Sequence, residues 1–92
     1  MGYKNKKGEY MYLFGWLQKK EGDKRFKPTT GGNTVWANNK REAIKKVNDI
    51  QRGYDRIDNK HVKLRVDPRN CRRAKNYNEY KEFSNGLFLL TV

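Results

Sequence analysis

Apolar residues occupy both sets of alternating positions over residues 9 to 19. Tyr10, Tyr12, Phe14 and Trp16 form one set, and Met11, Leu13, Gly15 and Leu17 the other. Successive strand side chains point to opposite faces, so this pattern predicts a central strand covered on at least one side. Lys19 to Lys24 reads as a charged turn. A weaker strand carries Arg25, Phe26 and Lys27 and stops at Pro28. Residues 29 to 33 read as a flexible Gly-containing connection, and Thr34, Val35 and Trp36 as a short third strand.

The pattern then changes period. Ala43, Ile44, Val47 and Ile50 make one apolar stripe, which predicts an amphipathic helix over residues 39 to 52. Asn38 or Asn39 supplies the N-cap, Glu42 stands where a capping box wants it, and Gly53 is the expected stop. Glu42 and Lys46 form an i, i+4 pair of favourable orientation. His61 to Val66 reads as a half-buried strand with Val62, Leu64 and Val66 inward and His61, Lys63 and Arg65 outward. Asp67 and Pro68 suit the N-cap and first position of a short second helix near residues 68 to 75. Further on, the pattern suggests a break near Asn76, a short turn at Asn78 to Phe83, a turn at Ser84 to Gly86, and a closing strand from Leu87 to Thr91.

These elements predict an α+β fold: one small domain over residues 9 to 92, preceded by a flexible basic arm at residues 1 to 8. The sheet is expected to be mainly antiparallel, with four to five strands and the one long helix on a face. In outline, three strands and an amphipathic helix over residues 9 to 52 resemble the sheet-type DNA-binding domains at the start of phage integrases, without a residue motif that carries the likeness.

Charge changes the picture. The chain has 92 residues, with 22 Lys and Arg against 10 Asp and Glu, a formal net charge of +12. Such an imbalance is self-repelling, and a polyanionic partner relieves it. Aromatics make up 13% of residues and run the whole length, which argues for a folded core rather than a disordered polycation. The basic residues are spread along the chain, so the charge belongs to a folded surface.

Three basic stripes follow from the element assignments. Arg41, Lys45, Asn48 and Arg52 share one helix side, opposite the apolar stripe. Lys63 and Arg65 extend from His61 as an outward ladder. Arg69, Arg72, Arg73 and Lys75 lie on or near the short helix, and Arg reads phosphate and base edges bidentately. The first two stripes fit a solvated surface as well as an interface; the Arg-dense third favours an interface. The aromatic ladder of Tyr10, Tyr12, Phe14 and Trp16 fits a core better than a base-stacking platform, because a small domain needs its largest apolar side chains inside.

Catalytic patterns are missing. His61 is the one histidine and lies between basic neighbours. Cys71 is the one cysteine, which excludes an internal disulfide and a Cys-based zinc site. Its basic neighbours suggest a lowered thiol pKa, but packing is the simpler role. Asp55, Asp58 and Asp67 lack metal-ligand spacing, and no Gly-Lys-Ser/Thr follows Gly31 and Gly32. The expectation is a non-enzymatic protein without cofactor, metal or small-molecule substrate. It would bind DNA or RNA through Arg41, Lys45, Arg52, Lys63, Arg65, Arg69, Arg72, Arg73 and Lys75. The alternative is a phage-type inhibitor or modulator that binds an acidic surface of a host protein. Tyr77, Tyr80 and Phe83, beside the Arg-rich stretch, would supply its anchor or else cover one end of the core. No stretch suits a membrane span or a signal peptide, so a cytoplasmic location is expected (the host cytoplasm if phage-encoded). The Lys, Asn and Tyr content fits an AT-rich genome.

Overall fold

A computed structural model describes the backbone of residues 2–58 and 62–91 and the side chains of residues 2–57 and 62–85. The elements are β1 (Tyr10–Lys20), β2 (Lys27–Ala37), α1 (Lys40–Asp58), β3 (Val62–Arg73) and α2 (Tyr77–Thr91). The result is a small α+β domain with one antiparallel sheet of three strands, in the order β2-β1-β3. Both outer strands run antiparallel to β1 and hence parallel to each other. Parallel strands need a crossover, and α1 is that crossover, a split β-α-β arrangement.

The alternation along β1 builds two cores. Tyr12 and Phe14 pack with Ala37, Ala43, Val47, Val66 and Cys71 on the α1 side, with Tyr10, Trp16, Val35 and Ile44 at the margin. Met11 and Leu13 pack with Ala74 on the other side, closed by Tyr3, Trp36, Tyr80 and Phe83. The aromatic ladder of β1 is therefore core, and β1 is covered on both faces. Residues 2–9 also join the second layer. Asn5 closes a tight turn by accepting the N–H groups of Lys7 and Glu9, and Tyr3 bonds through its backbone to Met11 and Ala74.

Helix α1 begins as its residues dictate. The Asn39 side chain accepts the Glu42 N–H at 2.8 Å, and Lys46 meets Glu42 at 3.1 Å. The helix does not stop at Gly53 but continues to Asp58. Two bonds to β3 hold this half of α1: Asn48 Oδ1 accepts the Val66 N–H at 2.8 Å, and Asp55 pairs with Arg65 at 2.9 Å.

The remaining differences concern strand length and the C-terminal third. Among the described residues, three strands replace the expected four to five. Only Lys27 of the expected second strand is strand; it begins β2, which runs on through residues 34–36 and which the glycines kink rather than break, while Arg25 and Phe26 lie in the turn before it. Gly31 has φ +92°, a left-handed conformation that glycine adopts freely. Pro28 is tolerated because β2 is an edge strand, where a missing N–H costs no sheet bond. Residues 68–73 are strand, not helix. Asp67 and Pro68 form part of an edge-strand bulge, in which Asp67 Oδ1 accepts the Arg69 N–H at 3.0 Å. The second helix starts at Tyr77, capped by Asn76 Oδ1 on the Glu79 N–H at 2.9 Å. Its backbone stays helical through Thr91, which removes the expected turn and closing strand. The likeness to integrase domains also lapses, because residues 9 to 52 hold two strands and the start of a helix, and the third strand follows that helix.

Candidate nucleic-acid interface

The level of Gly15 and Trp16 on β1 is where both neighbouring strands bulge. Between Gly15 and Leu17, β2 uses the whole stretch from Gly32 back to Pro28. Between Phe14 and Trp16, β3 uses the stretch from Cys71 back to Val66. Bulges bend a strand and re-aim its side chains. Here they open a pocket of about 370 Å³ lined by Leu17, Arg25, Phe26, Pro28, Asp67, Pro68 and Arg69. Gly15 admits the β3 bulge closely: a Cβ there would stand 2.4 Å from the Asn70 Nδ2.

Strand geometry disperses the Arg-dense stretch. On a helix, Arg69, Arg72 and Arg73 would share a face. On β3, neighbours alternate. Arg72 bonds Glu79 of α2. Arg73 instead lies over the Tyr10 ring, its guanidinium carbon 3.8 Å from the centroid, with the Lys4 ammonium 4.9 Å from the same ring. Arg69 goes to the bulge pocket, and Lys75 is exposed beyond the strand end. Burial pushes the Glu79 carboxyl up, but Arg72 and the Lys75 N–H outweigh it and hold the group below its ordinary value.

The helix row is partly neutralised. Lys45 and Arg52 both meet Asp49 at 3.0 Å, and Arg41 stands exposed. The hydrogen bond from Lys45, with the Arg52 charge behind it, holds the Asp49 carboxyl low. Asn48 is turned to β3 rather than outward. The ladder changes more. Lys63 is exposed, but Arg65 is not an outward residue: its side chain is 18% exposed and Asp55's is 13%. Arg65 also donates to the Leu64 carbonyl and stacks on Phe26 at 5.4 Å from the centroid. Desolvation would penalise an unpaired cation there, so Arg65 is held by Asp55 and positions Phe26. His61 lies outside the described residues.

Among the described residues, Arg41, Lys63, Arg69, Arg73 and Lys75 carry no ion pair. Sequence reasoning missed Arg25 and Phe26 in the pocket, as well as Lys4 and Lys19; the Lys19 ammonium lies 5.9 Å from the Phe26 centroid. The signal was Arg25-Phe26 beside Pro28, an aromatic between cations in a short turn. Cys71 is buried in the α1-side core, and burial pushes its thiol up against the pull of Lys40, the reverse of the lowering its basic neighbours suggested. Among the described residues no group of three His, Cys, Asp or Glu side chains is placed to hold a metal, and no helix is long and apolar enough to cross a membrane.

Compared with known proteins, the chain matches no family model, no curated protein and no solved structure.

Proposed function

We propose that this domain binds nucleic acid through its phosphate backbone. The observation that carries the reading is the charge excess on a folded surface. Ten carboxylates cannot offset 22 cations, and no described charged side chain is buried in the core. Neutralising phosphates with Lys and Arg releases counterions, which supplies sequence-independent affinity and steers encounter. Arg41, Lys63, Arg69, Arg73 and Lys75 are the phosphate contacts of first choice. Lys45, Arg52 and Arg72 add to them by exchanging a carboxylate for phosphate, and Arg65 contributes through the position of Phe26. Replacing Arg69, Arg72 and Arg73 by Ala and measuring affinity for duplex DNA, single-stranded DNA and RNA at several salt concentrations tests this. Both affinity and salt dependence should fall, and an unchanged salt dependence would remove these residues from the interface.

A second reading is an acidic protein surface, and one observation favours it. Ile50, Tyr54 and Ile57 continue the stripe that Ala43 and Val47 bury, yet they are 55%, 47% and 79% exposed. Clustered exposed apolar side chains suit a protein contact. The aromatic anchor expected on α2 is mostly spent in the core, since Tyr80 and Phe83 pack there and Tyr77 alone of the three is exposed.

A further inference from the structure

The bulge pocket has the composition of a nucleotide site. Its floor and walls include Leu17, Pro28, Pro68 and the Phe26 ring, flat or rigid apolar surfaces against which a planar base packs. Arg25 and Arg69 both line the same pocket, within reach of a phosphate joined to that base. Asp67 is the one carboxylate among the described lining residues. Its Oδ1 already holds the Arg69 N–H, which fixes the bulge and leaves acceptor capacity for a donor on a base edge. The volume, about 370 Å³, falls at the small end of the range of roughly 300–1,000 Å³ for small-ligand sites.

We propose that this pocket takes one unstacked nucleotide of a single strand, with its base on Phe26, its phosphate between Arg25 and Arg69, and a donor on its base edge at Asp67. The inference rests on the nucleic-acid reading above and adds a strand preference to it. Phe26 is prepared for the task. The guanidinium of Arg65, held by Asp55 and the Leu64 carbonyl, stands 5.4 Å from the Phe26 ring centroid and the Lys19 ammonium 5.9 Å, two cation–ring contacts that favour its present orientation. A base within a duplex is stacked on both sides and cannot enter without being extruded, so a single strand is the favoured ligand.

The test uses the whole protein with a labelled thymidine 15-mer, the same strand with a central abasic position or a central guanine, and a duplex. Variants are Phe26→Leu, Asp67→Asn and Arg69→Ala. Loss of base stacking predicts that Phe26→Leu weakens single-strand binding about tenfold and leaves duplex binding unchanged. Asp67→Asn, which keeps the bulge acceptor, should reduce the preference for guanine over thymine at the central position. If Phe26→Leu fails to fold, Asp67→Asn and Arg69→Ala on the exposed bulge decide the matter. Binding of every strand and duplex with the affinities of the unsubstituted protein in all three variants would overturn the pocket and remove Arg69 from the interface, with phosphate binding left to the other cations. No binding of any nucleic acid at low salt would overturn both. In that case, displacement of Arg25 and Arg69 signals by an acidic peptide would assign the pocket to a protein partner.

Discussion

Arg65 and Asp55 meet at 2.9 Å with side chains 18% and 13% exposed, the most enclosed ion pair among the described residues. It joins β3 to the last turns of α1, beyond Gly53, a residue type that commonly ends helices. Removing one partner strands the other in a poorly solvated place. Asp55→Asn is expected to lower stability by about 1–3 kcal/mol, seen as a lower urea midpoint at constant slope. The same substitution raises the net charge, so nucleic-acid affinity should not fall in proportion to stability.

Lys46 ties α1 to the segment before β1. Its ammonium donates to Glu9 at 2.7 Å and to the Trp36 carbonyl at 3.0 Å, and it pairs with Glu42. The hydrogen bond from Lys46, then that from Asn5, holds the Glu9 carboxyl below its ordinary value; Lys46 and then Asn38 do the same for Glu42. A carboxylate with a depressed folded pKa contributes stability above its unfolded pKa and loses it as pH falls through the folded pKa. Acid should therefore weaken the domain below the ordinary glutamate range. Lys46 itself is raised by the same partners, so its share is lost only at the alkaline end, as pH rises through its folded pKa. Lys46→Met should flatten the acid limb of a Tm-against-pH profile.

Two glycines should respond in opposite directions. A Cβ on Gly32 would lie 2.1 Å from the Phe14 carbonyl oxygen and 3.2 Å from the Phe83 ring. Backbone cannot yield cheaply there, so Gly32→Ala should destabilise by roughly 2 kcal/mol or more. Gly53 has nothing within 4 Å of a built Cβ and sits inside α1. Gly53→Ala should stabilise by about 0.5–1 kcal/mol. Thermal melts of both variants check the pair.

Exposed and enclosed arginines should separate in binding. Arg69→Ala should weaken binding and make the salt slope shallower by about one for each phosphate that the arginine neutralises. Arg65→Ala should act mainly on stability and on the Phe26 position, with a smaller change in slope. Parallel titrations and melts of the two variants tell these effects apart.

Strong local patterns were legible in the sequence, and those that imitate one another were not. The two-faced alternation of β1 and the Asn39 cap of α1 appear as expected, because each rests on residues that interact within a few positions. Asp67-Pro68 reads as a helix start, since Asp caps and Pro suits the first turn. An edge-strand bulge accepts the same pair for other reasons, and only the pairing of β3 with β1 distinguishes them. Misreading that segment placed Arg69, Arg72 and Arg73 on one face, where alternation separates them. Tyr80, Phe83, Leu87 and Leu90 are spaced by three, four and three, a helical repeat that the Ser84-Asn85-Gly86 turn signal obscured. Gly53 failed as a stop because tertiary bonds from Asn48 and Asp55 hold the helix past it. The pocket was invisible for a similar reason: Arg25, Phe26, Asp67 and Arg69 meet only when both outer strands bulge at one level.

Phosphate recognition by a positively charged folded surface is the central claim. Its most direct test is fluorescence anisotropy of labelled duplex DNA, single-stranded DNA and RNA titrated with the full chain across a salt series. The expected result is binding at low salt whose logarithm falls linearly and steeply with the logarithm of salt concentration. Negligible affinity for all three at low salt, or an affinity indifferent to salt, would contradict it.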